Sequence, residues 1–175
     1  MRRNKKAILI AEDILARIEK GSLYLRRGNG ELIDMNGKFP REGSFQDQID
    51  LAERNCKVCA IGGMFLSYVR IFGKVRCFEF GKPNWHELAR VLDKVFSRDT
   101  LVFIEYVFEG CMVRTQWDVE YDLDEFRFFR SYMRNLWNQL EIQKIKRGRK
   151  KAEFIMSEIC RNIIRNDGQF VAEVK

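Results

Sequence analysis

A single histidine, His86, stands in the whole chain of 175 residues, and that scarcity excludes every catalytic or metal-binding scheme built on several imidazoles. Any Ser/His/Asp or Cys/His pair would have to use this one ring. Its position beside Trp85, at the start of a helical pattern, places it where the positive end of a helix dipole disfavours the imidazolium form. A plain surface or packing role explains it more simply. Also missing are Gly-x-x-x-x-Gly-Lys-Ser/Thr and Gly-x-Gly-x-x-Gly, the glycine loops that cradle nucleotide phosphates, so ATP-driven and dinucleotide-dependent activities drop out. No stretch approaches the roughly 20 apolar residues that a bilayer span needs. The apolar run from Ala7 to Ala11 behind the basic start is stopped by Glu12 and Asp13, too early for a secretory signal. A cytoplasmic setting is therefore expected, and the odd set Cys56, Cys59, Cys77, Cys111 and Cys160 reads as reduced thiols.

What is present suits one hydrophobic core. Apolar residues make up 46% of the chain and aromatics 13%, enough to fill a single domain over residues 1–175 without metal or disulfide support. Charge is unevenly placed. The formal net charge is +7 from 32 bases and 25 acids, yet Arg2, Arg3, Lys5 and Lys6, with Lys144, Lys146, Arg147, Arg149, Lys150 and Lys151, carry ten of those bases in two segments free of acid. Without them, 22 bases face 25 acids, so the body is slightly acidic. A local cluster of this kind suits one docking place for phosphates or for an acidic surface; it also suits a plain solvated turn.

Periodicity predicts a mainly α fold, α+β with a minor β-hairpin. Ala7, Ile10/Ala11, Ile14 and Ile18 repeat at helical spacing from Asn4 to Glu19, and Gly21 follows as a stop. Leu23-Tyr24-Leu25 and Leu32-Ile33 flank Arg26-Arg27-Gly28-Asn29-Gly30-Glu31, and the Asn-Gly pair predicts a hairpin between them. Residues 34–46 read as a mobile loop, and a helix is expected to begin within Gln46–Arg54. Another, from about Cys56 to Arg70, is apolar on most sides, which makes it the central element. Its Gly62 and Gly63 cost about 1 kcal/mol each against alanine, so close approach of another backbone is expected there. Asn84 and Ser97 mark two helix starts, residues 111–121 suggest a short strand, and the stripe from Asp122 to Leu140, resumed from Ala152 to Ile163, predicts a C-terminal helical hairpin across the basic interhelical segment 144–151.

Three constellations carry candidate chemistry. Cys56-Lys57-Val58-Cys59 has the spacing of zinc ligands and of redox thiols, but no second pair completes a zinc site, and buried structural cysteines fit as well. Asp118, Glu120, Asp122 and Asp124 alternate as in a calcium loop, yet Leu123 stands where that loop needs glycine and Phe129 where it needs glutamate; a metal-dependent nuclease pair at Asp118/Glu120 stays open, as does a thiol-based enzyme at Cys56/Cys59. No cofactor is called for. Arg127, Arg130 and Arg134 share one helix face with Phe128 and Tyr132 between them, a pattern suited to phosphate contacts with base stacking, and equally to a salt-bridged surface.

The run Asn55-Cys56-Lys57-Val58-Cys59-Ala60-Ile61-Gly62-Gly63-Met64-Phe65-Leu66-Ser67 resembles a segment of small, uncharacterised accessory proteins of tailed bacteriophages. Phe96-Ser97-Arg98 through Phe108-Glu109, Asn162-Ile163-Ile164-Arg165-Asn166 and Gly168-Gln169-Phe170 fit the same pattern. The resemblance implies a phage product acting in an infected host, with counter-defence as the expected setting, and it brings no activity or ligand. The expectation is thus a non-catalytic protein that binds nucleic acid or a nucleotide signal through Lys144, Lys146, Arg147, Arg149, Lys150 and Lys151, supported by Arg127, Arg130 and Arg134. The alternative is an inhibitor that docks onto a host or defence protein.

Overall fold

A computed structural model describes residues 3–27, 33–34, 57–73, 85–109, 123–146 and 148–172. Six helices and three two-residue strands occupy this set: α1 (Lys5–Glu19), β1 (Tyr24–Leu25), β2 (Ile33–Asp34), β3 (Lys57–Val58), α2 (Ala60–Phe72), α3 (Trp85–Leu92), α4 (Arg98–Glu109), α5 (Leu123–Ile142) and α6 (Arg149–Arg165). The fold is mainly α with a minor sheet, as the periodicity predicts.

Local signals account for the helix ends. Asn4 caps α1, its Oδ1 accepting from the Ala7 N–H at 3.2 Å, and Gly21 ends that region at φ +66°, a conformation cheap only for glycine. Ser97 does the same for α4, its Oγ accepting from the Thr100 N–H at 3.2 Å. The expected helix within Gln46–Arg54, the strand within 111–121 and the expected mobile loop at 34–46, apart from Asp34 in β2, lie outside the described residues, as do Asn84, Asp118, Glu120, Asp122 and the side chain of Asp124.

Two expectations are corrected. The segments around Tyr24 and Ile33 share one sheet but do not form a hairpin with each other: β3 lies between them, parallel to β1 and antiparallel to β2. An Asn-Gly pair favours a turn, but the middle position goes to the strand whose fully buried Val58 joins the core; its carbonyl accepts from the Arg26 N–H at 2.9 Å. That same pairing delays the central helix, which starts at Ala60 and not near Cys56 because Lys57 and Val58 are extended. Cys59 becomes its cap, with Sγ accepting from the Gly62 N–H at 3.4 Å.

Helix α2 is buried along its length from Ala60 to Val69 and packs against α1, α3, α4 and β3, which makes it the hub of the core. Its Gly63 does not serve the backbone approach expected of the glycine pair. A Cβ on Gly63 would meet only side chains, Leu25 Cδ2 and Val58 Cγ2 at 3.7 Å and Leu23 Cδ2 at 3.8 Å, all at ordinary contact distance. Gly63→Ala should therefore stabilise the protein by about 0.5–1 kcal/mol through helix propensity and reduced freedom of the unfolded chain. Urea unfolding checks this, and a destabilised variant would show that the space is tighter than these distances.

Helix α6 presents Ala152, Ile155, Met156, Ile159, Cys160 and Ile163 to the core and lies along α1. The two run antiparallel. At one end the Asn4 N–H donates to the Asp167 carbonyl at 2.8 Å, and at the other Arg149 donates to the Gly21 carbonyl at 3.2 Å. Helix α5 precedes α6 across the turn at 143–148, where Lys144 and Gly148 take positive φ, and packs on it as the expected helical hairpin. Among the described residues no helix is long and apolar enough to cross a membrane.

A cationic cleft at the start of α6

Arg149, Lys150 and Lys151 begin α6 with no acidic residue in the first turn and no side-chain cap at Gly148. Three bases at a helix N-terminus oppose the macrodipole, at a cost of a few tenths to about 1 kcal/mol each. Such placement is unfavourable in the isolated chain and favourable beside an anion. Next to this terminus lies a cleft of about 460 Å³ lined by Tyr24, Leu25, Arg26, Arg27, Lys57, Lys146, Gly148, Arg149 and Lys151. Six of these nine residues are cationic and none is acidic.

Several elements assemble this cluster. Parallel pairing of β1 with β3 brings Tyr24 opposite Lys57 and carries the chain on to Arg26 and Arg27; the α5–α6 turn supplies Lys146 and α6 supplies Arg149 and Lys151. Aromatic rings hold four of the cations. Lys57 Nζ and the Arg149 guanidinium lie 5.8 and 4.9 Å from the centre of the Tyr24 ring, while Arg27 and Lys151 Nζ lie 6.0 and 3.7 Å from that of Trp137. Electron-rich ring faces attract cations, by about 0.5–1 kcal/mol at exposed sites, and so offset part of the repulsion among these charges. Arg149 is further fixed by Glu153 one turn on, and Arg27 by donation to the Glu109 carbonyl.

Of the residues anticipated from sequence, Lys146, Arg149 and Lys151 line the cleft. Lys144 and Lys150 are exposed outside its lining, as is Arg134 on α5. Arg147 and the side chains of Arg127 and Arg130 lie outside the described residues. Arg26, Arg27, Lys57 and Tyr24 were not anticipated. Only the Arg26-Arg27 pair gave a local sign, and its meaning depends on where β1 ends. Of the N-terminal basic segment, the described Arg3, Lys5 and Lys6 do not line the cleft. Arg3 lies 3.9 Å from Asp167 and Lys6 sits over the Phe72 ring, at the far end of α1 and α6; 17 helical residues separate the two ends by about 25 Å.

The other group of chemical interest surrounds Cys59. Burial first, then the neighbouring Glu105 charge, push its thiol well above its ordinary value. It stays protonated at neutral pH, the opposite of what a nucleophilic or metal-ligating thiolate requires. Cys56 lies outside the described residues. Cys160 is buried, and desolvation likewise pushes its thiol up. Among the described residues no group of three or more His, Cys, Asp or Glu could hold a metal ion, and His86 is exposed on α3.

Glu105 accepts from the Ile61 N–H at 3.3 Å, which satisfies a donor at the start of α2. The residue keeps some exposed area, but its carboxylate is enclosed; desolvation, followed by the Glu109 charge, raises it from 4.5 to about 7. The folded state thus holds a proton that the unfolded chain has released, and stability falls as pH rises from 4.5 to about 7. Glu105→Gln keeps an acceptor for Ile61 and cannot ionise. It should be more stable than the wild type at pH 8 by up to roughly 3 kcal/mol, with little difference near pH 5, since each tenfold change in proton affinity between the two states corresponds to about 1.4 kcal/mol. Denaturant unfolding at both pH values checks this, and an unchanged pH dependence would contradict it.

No family model, no curated protein and no solved structure matches the chain.

Proposed function

We propose that this is a non-catalytic binding protein whose cleft at the start of α6 takes a phosphate-bearing ligand, nucleic acid or nucleotide. The setting is the one the phage resemblance implies, an accessory protein acting in counter-defence in an infected bacterial cell. What carries the reading is the convergence of Arg26, Arg27, Lys57, Lys146, Arg149 and Lys151 on one cleft with no carboxylate among the described residues of its lining. Beside them stands a helix N-terminus that carries bases where acids would stabilise it. Gathering like charges sets up mutual repulsion, whereas a phosphate attracts each of them through charge-assisted hydrogen bonds.

Fluorescence titration of a labelled nucleotide or oligonucleotide at rising salt tests the reading. Affinity should fall at least about tenfold between 50 and 200 mM salt, because phosphate contacts displace bound counterions. Binding that does not respond to salt would remove it.

A further inference from the structure

Resting on that reading, we infer that the cleft recognises a terminal polyphosphate by charge alone and leaves the base and the sugar unread. The first argument is one of size. A sphere of the cleft's volume, about 460 Å³, is about 10 Å across, within the range of small-ligand sites. One nucleic-acid strand carries a charge every ~3.4 Å of helix axis, so matching six cations with diesters would take about 17 Å of strand. A chain of phosphates bridged by shared oxygens places several charges within the space available.

The second argument is the chemistry of the lining. Base edges are read by paired donors and acceptors, typically from Asn, Gln, Asp, Glu or a bidentate Arg, and a ribose hydroxyl is commonly held by a carboxylate. Among the described residues the lining contains no Asn, Gln, Asp or Glu, and of its arginines Arg149 is engaged by Glu153 and Arg27 by the Glu109 carbonyl. Its aromatic surroundings are committed as well: Tyr24 and Trp137, which would otherwise offer stacking surfaces, hold Lys57, Arg149, Arg27 and Lys151 in place. The ring faces position the cations that meet the phosphates. Gly148, open to its surroundings, lets an anion approach the start of α6 without a side chain in the way.

Isothermal titration of the intact protein in EDTA, with inorganic tripolyphosphate, ATP, UTP, AMP and an oligonucleotide of about ten nucleotides with or without a 5′-triphosphate, tests the inference. Tripolyphosphate, ATP and UTP should bind within about threefold of one another, and AMP and the 5′-hydroxyl oligonucleotide at least about thirtyfold more weakly. A 5′-triphosphorylated oligonucleotide that matches ATP assigns RNA ends as a source, and one that binds more weakly assigns free nucleotides; both support polyphosphate recognition. Discrimination between ATP and UTP beyond about tenfold, or a 5′-hydroxyl oligonucleotide binding more tightly than tripolyphosphate, would overturn the inference and leave a phosphate-binding cleft standing. If no probe binds, both readings fall.

Discussion

Reversing Lys57, Lys146 and Lys151 to glutamate together is expected to weaken binding of a phosphate-bearing ligand by at least about a hundredfold, because each substitution removes an attraction and adds a repulsion in one confined space. The three residues come from β3, the α5–α6 turn and α6, so a joint loss identifies the cleft and not one element. Lys146 is exposed, and Lys57 and Lys151 are half-buried. The substitutions give up two cation–π contacts but relieve repulsion among six cations, so the thermal midpoint should move little. A control reverses Lys5 and Lys6, which lowers the net charge at the far end of the α1–α6 pair. It should alter affinity less than about threefold. Equal losses in both variants would mean that net charge and not the cleft governs binding.

Gly168→Ala should produce the largest loss of stability. Gly168 has φ +89°, and an added Cβ would lie 2.8 Å from the Asn4 Cβ and 3.0 Å from the Asn4 carbonyl carbon, with the Asn4 carbonyl oxygen closer still. Asn4 cannot yield easily. Its Oδ1 caps α1, its Nδ2 donates to the Val95 carbonyl at 2.7 Å, and its backbone N–H holds Asp167. Beyond Gly168, the Asn162 side chain donates to the Val171 carbonyl at 2.7 Å and accepts from the Val171 N–H at 2.8 Å, while Phe170 meets Tyr132 edge-on. Backbone strain and the clash together should cost about 3 kcal/mol or more. For a chain of this size that lowers the melting temperature by about 6–12 °C. A shift under about 2 °C would show that this junction relaxes freely. Set beside the expected gain from Gly63→Ala, the pair separates a glycine required by backbone geometry from one that is not.

The features legible in the sequence were those that a single segment encodes. Ser97 announces a helix start because a capping side chain bonds to its own neighbours. The apolar stripes of α1, α5 and α6 follow from helical periodicity. The sheet was not legible, because pairing Tyr24 with Lys57 depends on which strand buries Val58, a decision made by the whole core. The cleft shares that fate: half its cations, Lys146, Arg149 and Lys151, stood out as a charge run, whereas Arg26, Arg27 and Lys57 join them only through the β1–β3 pairing. The separation of the two basic segments follows in turn from the antiparallel packing of α1 on α6.

Amide chemical-shift mapping by NMR, as tripolyphosphate is added to the intact protein, tests the location of the site most directly. The account predicts the largest changes at Tyr24–Arg27, Lys57, Lys146 and Gly148–Lys151, saturating together with one affinity. Changes centred on Arg3–Lys6, or spread evenly over exposed lysines without saturation, would contradict it.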